Sequence, residues 1–131
     1  MYLLDSNIII DIFRGDTTLK KKLEDIQRVN LEVSTTTLNL SELYKGAYLS
    51  SQQETALNLI NEFVKNVIIL TPSQKSAILF GQDYAQLKLK GKIVPEIDLI
   101  IASIAKAHNA TVITRNIKDF VAIPNLTIEQ W

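Results

Sequence analysis

The amino-acid sequence predicts an α/β fold, a three-layer α/β/α sandwich with a central, mainly parallel sheet of about 4–5 strands. Short apolar stretches typical of strands alternate with longer stretches whose apolar residues recur at helical spacing. Three of the short stretches, YLL, VIIL and ATVIT, are almost wholly apolar, which indicates strands covered on both faces. No linker or internal repeat interrupts this alternation, so we expect a single domain spanning residues 1–131.

The first half of the chain is predicted to contain two strands and four helices. The first strand, YLLD, ends in an acid; Ser6 and Asn7 then have side chains preferred at a helix N-cap, and Gly15 stops the helix IIIDIFR. Asp16 and Thr17 are suited to cap the next helix, and LEVST is predicted as the second strand. The remaining helices of this half are predicted at about residues 18–28, 37–49 and 51–65.

The second half begins with VIIL, a fully apolar third strand. Pro72 then opens a long helix that runs to about residue 90, and Gly91 closes it. The other predicted elements are a helix at residues 98–108, the strand ATVIT, a helical turn at residues 117–120 and a last short strand within LTIEQW.

Composition excludes several kinds of site. The chain has no cysteine, which rules out disulfides, thiolate metal ligands and a cysteine nucleophile. It has one histidine, His108, whereas a paired-histidine ribonuclease needs two. No G-x-S-x-G turn, Walker A loop or G-x-G-x-x-G loop is present. The N-terminus lacks the basic region of a signal peptide, and no apolar run approaches the ~18 residues of a membrane span. We therefore expect a cytoplasmic protein without membrane contact.

Formal charge offers no long-range attraction for nucleic acid. Lysine and arginine together number 14, as do aspartate and glutamate, so the net charge is zero. Any contact with RNA must depend on local groups of basic residues. Two such groups are the lysines at positions 20–22 and those at positions 88, 90 and 92, each of which can equally be a solvated helix or loop face.

Acidic residues stand at the ends of the predicted buried elements. Asp5 ends the first strand, Glu42 lies about one turn into the helix after the second strand, and Asp98 heads the helix before the fourth. Asn116 and Asp119 follow the fourth strand. Because ligands of parallel sheets bind at the carboxyl ends of the strands, several of these side chains could meet there. Taken singly, each acid can also be a turn residue, a cap or a solvated helix residue.

A cluster of these acids would favour a divalent cation. Like charges in close proximity repel and raise each other's pKa values, so a cluster costs stability unless a cation lies among them. Carboxylate oxygens are the hard ligands that Mg²⁺ and Mn²⁺ prefer. With the histidine and serine mechanisms excluded, the remaining route to hydrolysis is a metal held by carboxylates, which activates water and neutralises charge on a leaving phosphate oxygen.

Four motifs follow one another over nearly the whole chain: YLLDSN, TTLNLSELYKGA, PEIDLIIASIA and ATVITRNIKDF. In this order they resemble the PIN-domain ribonucleases, and most of all the VapC-type toxins of type II toxin–antitoxin systems. The resemblance implies a Mg²⁺- or Mn²⁺-dependent endoribonuclease whose acidic pocket holds Asp5, Glu42 and Asp98. It makes Asp5 and Asp98 the foremost direct metal ligands, and Ser6 the hydroxyl that orients the first acid or a bound water.

The last motif departs from the pattern of that family. Many members carry an acid at the position of Asn116, whose neutral carbonyl oxygen is a weaker ligand than a carboxylate. Asp119 lies three residues further on and would supply the missing charge if that turn is helical. The resemblance therefore leaves open whether one metal or two would bind.

The resemblance also implies partners. Members of the family are usually homodimers, a cognate antitoxin wraps the toxin and blocks its acidic groove, and the substrates are structured RNAs, often a tRNA or an rRNA loop. The basic residues available to RNA phosphates are Lys45, Lys88, Lys90, Lys92, Arg14 and Arg115. The aromatic residues available for pairing of copies, or equally for the core, are Tyr44, Tyr48 and Phe63.

Two other functions fit parts of the sequence. A PIN-like domain without useful catalysis could act as a regulatory binding partner, and Asn116 in place of an acid favours that reading. A phosphotransferase with Asp5 as nucleophile is a weaker alternative, because Asn7 stands where a haloacid-dehalogenase-like enzyme needs its second acid. A receiver-like domain is disfavoured as well, since VIILTPS offers no acceptor aspartate after a middle strand.

Overall fold

The computed structural model describes residues 1–131 as five strands and seven helices. The strands are β1 (Tyr2–Leu4), β2 (Val33–Thr36), β3 (Ile68–Leu70), β4 (Thr111–Ile113) and β5 (Ile128–Glu129). The helices are α1 (Ser6–Phe13), α2 (Thr17–Arg28), α3 (Thr37–Leu49), α4 (Gln53–Val64), α5 (Gln74–Leu89), α6 (Glu96–Ala107) and α7 (Ile117–Phe120).

The five strands form one sheet in the order β3-β2-β1-β4-β5, and every neighbouring pair is parallel. The central strand is β1, in which Tyr2 lies beside Val33 of β2 on one side and Thr111 of β4 on the other. This register brings the carboxyl ends of β1, β2 and β4 to one edge of the sheet. The predicted parallel α/β fold is thereby confirmed.

Side chains alternate across the sheet and build a core on each face. Leu3 of β1 and Val112 of β4 belong to a cluster with the apolar residues of α5 and α6. The next residue of each strand, Leu4 and Ile113, belongs to a second cluster with the apolar residues of α1 to α4. Helices therefore cover both faces, as predicted for a three-layer sandwich.

The structure corrects several predicted boundaries. Asp5, rather than Ser6 or Asn7, caps α1: its carboxylate accepts the Ser6 N–H, and the two following residues already lie inside the helix. Helix α6 begins at Glu96, so Asp98 lies in its first turn instead of heading it. The prediction that VIIL is covered on both faces is wrong, because β3 is an edge strand: Ile68 is 40 % exposed, and Leu70 is the one buried residue of the strand.

Helices α5 and α6 are joined by a buried ion pair. Lys106 near the end of α6 donates to both carboxylate oxygens of Asp83 in α5, at 2.9 and 2.7 Å, and both side chains are largely shielded from solvent. A capping box between Ser73 and Ser76 begins α5. None of the helices is both long and apolar enough to cross a membrane.

Candidate active site

The acids predicted to meet do lie around one end of the sheet. Asp5 directly follows β1 and is held against β4, because its backbone N–H donates to the carbonyl oxygen of Ile113 at 2.9 Å. Asp98 has a pKa raised to about 6, first by burial and then by the negative charges of Asp5, Asp119 and Glu42. Since each of these charges acts on Asp98, the four acids lie near one another, and we call this region the acidic pocket.

Asp5 is almost completely buried and accepts four hydrogen bonds. Its Oδ1 accepts from the Ser6 N–H at 2.8 Å and from Asn39 Nδ2 at 3.0 Å. Its Oδ2 accepts from the Thr114 hydroxyl at 2.7 Å and from Asn7 Nδ2 at 3.3 Å. The pKa of Asp5 is nevertheless raised, because the effect of burial exceeds the lowering by the Thr114 and Ser6 donors.

Ser6 links the first acid to the second. Its hydroxyl donates to Glu42 Oε2 in a short hydrogen bond, and its Oγ accepts from Asn39 Nδ2 at 3.0 Å. The carbonyl oxygen of Asn39 accepts in turn from the Thr36 hydroxyl at 2.7 Å. Our sequence analysis singled out Ser6 and Glu42 but missed Asn39 and Thr114. A threonine followed three residues later by an asparagine, just after a predicted strand, was the one available signal, since it is a helix-capping pattern.

Asn116 and Asp119 contact each other at the rim of the pocket. The turn that carries them is helical, as expected, and Asn116 Nδ2 donates to Asp119 Oδ2 in a short hydrogen bond. The backbone N–H of Asn116 donates to the Thr114 hydroxyl oxygen at 2.9 Å, which ties this turn to the group that holds Asp5. Asp119 is also among the charges that raise the pKa of Asp98. The structure therefore places Asp119, with Asn116 attached, beside the other acids.

The oxygen ligands of the pocket suit a hard divalent cation, although the side chains do not form a complete coordination site. Carboxylate oxygens are the preferred ligands of Mg²⁺ and Mn²⁺, and a cation would relieve the repulsion that raises the pKa of Asp98. No three acidic or histidine side chains converge closely enough to hold an ion as they stand. The residues therefore fit the ion by the chemistry of their side chains and not by their present spacing.

Two of the predicted phosphate contacts are engaged elsewhere. The Arg115 guanidinium pairs with Asp11 at 3.0 Å and with Asp16 at 3.2 Å, and Arg14 lies 3.9 Å from Asp11. The pKa of Asp16 is lowered, mainly because it accepts the backbone N–H of Leu19 and to a smaller extent because of Arg115. The other candidates are exposed and occur in none of the ion pairs: Lys45, Lys88, Lys90 and Lys92.

His108 lies far from the acids. It is the C-cap of α6, whereas Asp98 is in the first turn of the same helix. Ten residues of helix separate the two, which corresponds to about 15 Å along the axis. A polar surface cavity of about 680 Å³ near this end of α6 is lined by Lys106 and Asp83 and includes none of the candidate acids. The acidic pocket is therefore the one place where the predicted site residues come together.

A parallel α/β sandwich with acids gathered at the carboxyl ends of β1 and β4 matches one known class of protein. The PIN domain family matches residues 2–126, nearly the full chain. The chain belongs to this family.

Among members of the family, the chain is similar to the VapC proteins. It is 34 % identical to Ribonuclease VapC2 of Rickettsia felis, over all of this chain and 98 % of that protein. It is also 34 % identical to the tRNA(fMet)-specific endonuclease VapC of Salmonella typhimurium, over 99 % of this chain and 97 % of that one. Among solved structures, the VapBC2 complex of Rickettsia felis bound to a promoter DNA fragment superimposes with a TM-score of 0.93 at 33 % identity, covering 99 % and 98 % of the two chains.

Proposed function

We propose that this protein is a metal-dependent endoribonuclease, acting as the toxin of a type II toxin–antitoxin pair that inhibits translation by cleaving a structured RNA. The observation that supports the proposal is that Asp5, Glu42 and Asp119 lie near enough to Asp98 for their charges to raise its pKa, together with the hydrogen bonds that link Asp5, Ser6 and Glu42. Full-length similarity to proteins named as ribonucleases and as a tRNA(fMet)-specific endonuclease supports the reaction class.

Asp5, Asp98 and Glu42 would hold the cation. Mg²⁺ or Mn²⁺, when bound, would supply positive charge for the scissile phosphate and make a water molecule more acidic. Asp5 is suited to anchor it, because four hydrogen bonds fix its carboxylate in place. Glu42, held through the Ser6 hydroxyl, is suited to accept the proton of the attacking water. Asp98 would be the third ligand, and a bound cation would favour the charged form of its carboxyl group.

Asp119 would take the role of the acid missing at position 116. Its carboxylate already acts on Asp98, and Asn116 holds it through the side-chain amide. The Asn116 carbonyl oxygen stays available as a neutral ligand. This arrangement favours one tightly held ion, with a second site weaker than four carboxylates would provide.

The lysines around the α5–α6 connection are the proposed contacts to RNA phosphates. Lys88, Lys90 and Lys92 are exposed and lie at the end of α5 and in the connection to α6, the helix whose first turn carries Asp98. Their ammonium groups are free of carboxylate partners, unlike the guanidinium of Arg115. A tRNA is the RNA class we favour, because one of the similar proteins is named for it.

A cognate antitoxin and a second copy of the chain are the proposed protein partners. Several similar solved structures are VapBC complexes, which supports an antitoxin for this chain. A mainly apolar groove of about 510 Å³ between α1, α3 and α4 is lined in part by Glu42, so a segment lying in it would also cover the acidic pocket. Of the three aromatic residues considered for the homodimer, Tyr48 is the one that is well exposed, at 62 %. Tyr44 and Phe63 are partly buried.

The proposal is tested by cleavage of a tRNA pool with the purified protein. Cleavage should be lost in EDTA and return when Mg²⁺ or Mn²⁺ is added in excess. Asp5→Asn, purified in the same way, should be inactive under both conditions and serves as the control for contaminating ribonuclease. Cleavage by the parent that persists in EDTA, with an inactive control, would refute the metal-dependent mechanism.

The alternative is a PIN-like domain without useful catalysis that acts as a regulatory binding partner. It is favoured by the absence of three converging acids and by the neutral side chain at position 116. Such a domain would leave every RNA in the pool intact at any Mn²⁺ concentration, while still binding its protein partner.

A further inference from the structure

Asn39 is a fully buried amide in the floor of the acidic pocket. Its Nδ2 donates to Asp5 Oδ1 and to Ser6 Oγ, each at 3.0 Å. It lies in the first turn of α3, three residues before Glu42, so the two side chains leave the same face of the helix. One amide group therefore contacts the first acid and the hydroxyl that binds the second.

Thr36 fixes the direction in which the Asn39 amide points. The Asn39 carbonyl oxygen accepts the Thr36 hydroxyl at 2.7 Å and the Thr36 N–H at 3.3 Å. A flipped amide would set an NH₂ group against the Thr36 N–H and a carbonyl oxygen against the Asp5 carboxylate, which are both repulsive. The NH₂ group must therefore face Asp5 and Ser6.

The fixed amide also gives the Ser6 hydroxyl its direction. Because Ser6 Oγ accepts from Asn39, its own hydrogen is free to donate to Glu42, and it does so. We propose that Asn39 is a positioning residue that holds the carboxylate of Asp5 directly, and that of Glu42 through Ser6, in the orientation needed for the ion and the substrate. This inference rests on the proposed function, since it concerns the same pocket.

Helix capping alone does not explain an asparagine at this position. Helix α5 begins with the same kind of capping box, in which Ser76 Oγ accepts from the Ser73 N–H at 2.7 Å and the Ser76 N–H donates to Ser73 Oγ at 3.1 Å. A serine at the third helical position is therefore long enough to cap. The extra reach of Asn39 is used on Asp5 and Ser6.

The test is Asn39→Ser, which keeps a capping hydroxyl for Thr36 and removes the reach to Asp5 and Ser6. The matched control is Ser34→Ala, which removes the hydrogen bond from another fully buried side chain to the Tyr2 carbonyl oxygen and does not touch the pocket. Removing a group that orients metal ligands typically costs 10–100-fold. We expect Asn39→Ser to lower kcat for RNA cleavage by about that factor, with KM changed less than about threefold.

Metal binding gives a second measurement that does not depend on turnover. The Mn²⁺ concentration needed for a given rise in melting temperature should be about tenfold higher in Asn39→Ser and unchanged in Ser34→Ala. Should Asn39→Ser fail to fold, Asn39→Thr keeps the hydroxyl, fills more of the space and is expected to behave in the same way. An Asn39 variant that matches Ser34→Ala in kcat and in Mn²⁺ dependence would overturn the positioning role.

Failure of the proposed function would be recognised separately. A parent protein that neither cleaves RNA nor gains stability from Mn²⁺ would refute the proposed function by itself. Whether Asn39 positions Ser6 is then tested by measuring the urea unfolding midpoints of Asn39→Ser, Ser6→Ala and the double variant. If Asn39 acts through Ser6, the midpoint shift of the double variant is smaller than the sum of the two single shifts; additive shifts would contradict the proposal.

Discussion

The carboxyl group of Asp98 has a pKa raised to about 6, first by burial and then by the charges of Asp5, Asp119 and Glu42. The pKa of Asp5 is raised as well, with burial again the first cause. For both groups, folding without a cation disfavours the charged form. The acids therefore cost stability at neutral pH, as expected where a protein retains residues for function.

Asp98→Asn should stabilise the protein in EDTA at pH 8. The pKa of Asp98 is 3.8 in the unfolded chain and about 6 in the folded state, so between these values the folded state binds more protons. The stability that protonated Asp98 gives the folded state therefore falls as pH rises and is fully lost above pH 6. We expect a gain of about 0.5–2 kcal/mol, because solvent around the partly exposed carboxyl reduces the effect.

Chemical denaturation of the parent and Asp98→Asn across the pH range measures this difference. The stability gap should narrow as pH falls and close only below the ordinary pKa of 3.8, where Asp98 of the parent is protonated in both the folded and the unfolded state. A variant that is less stable than the parent at pH 8 would mean that Asp98 chiefly stabilises the first turn of α6.

The contact between Asn116 and Asp119 leads to a second prediction for single residues. Asp119→Ala should lower RNA cleavage about as much as Glu42→Ala, whereas Asn116→Asp should preserve or raise it in excess Mg²⁺. In EDTA, Asn116→Asp should lower the melting temperature, because two carboxylates would then replace the present amide–carboxylate contact. Parent-like cleavage by Asp119→Ala would show that the pocket depends on three acids.

At the scale of helices and strands, local sequence patterns predicted most elements correctly. Helix α3 spans Thr37–Leu49 as predicted, because its apolar residues recur at helical spacing. The start of α1 was wrong, because Asp5, Ser6 and Asn7 are all good N-cap residues and the sequence cannot rank them. Tertiary contacts decide which of the three residues caps the helix.

The partners of the Asp5 carboxylate could not be predicted, since they come from distant parts of the chain. Asn39 is 34 positions away from Asp5, and Thr114 is 109 positions away. Only the parallel register of β2, β1 and β4 brings these residues to one edge. Asp5 and Asp98 could be singled out because they border apolar stretches, whereas Glu42 lies inside α3 and was assigned to the pocket through the family resemblance.

The buried ion pair between α5 and α6 leads to a prediction about the packing of these two helices. Asp83→Ala should destabilise the protein by about 3–5 kcal/mol, because it leaves the Lys106 ammonium buried without its partner. The double variant Asp83→Leu/Lys106→Met should recover most of this loss. Urea unfolding measures the stability of both variants. A double variant as unstable as Asp83→Ala would contradict this explanation. RNA cleavage should be unchanged in the double variant.

At the scale of the whole molecule, the sheet order places the acids between two groups of helices that leave apolar side chains exposed. Tyr48 and Leu49 end α3, while Leu89 and Ile93 lie at the end of α5 and just beyond it, with Leu49, Leu89 and Ile93 each more than four-fifths exposed. Exposed apolar groups on this scale are typical of surfaces that bind another protein. The proposed dimer would cover Tyr48 and Leu49 at the end of α3.

Light scattering of the purified chain tests assembly. We expect a mass of twice the 14.7 kDa of one chain at micromolar concentration and in the absence of any antitoxin. The mass of a single chain at every concentration would refute the homodimer, while leaving the acidic pocket and its chemistry unaffected.

The central claim is that the gathered carboxylates take up a divalent cation, although they do not yet converge around one. Calorimetric titration of Mn²⁺ into the protein measures this directly. The controls are Asp98→Asn and, for the same chemical change at an exposed acid outside the pocket, Asp25→Asn. We predict that the parent and Asp25→Asn bind Mn²⁺ equally and that Asp98→Asn binds it at least about tenfold more weakly. Equal affinity in all three proteins, or no binding by the parent, would contradict the account.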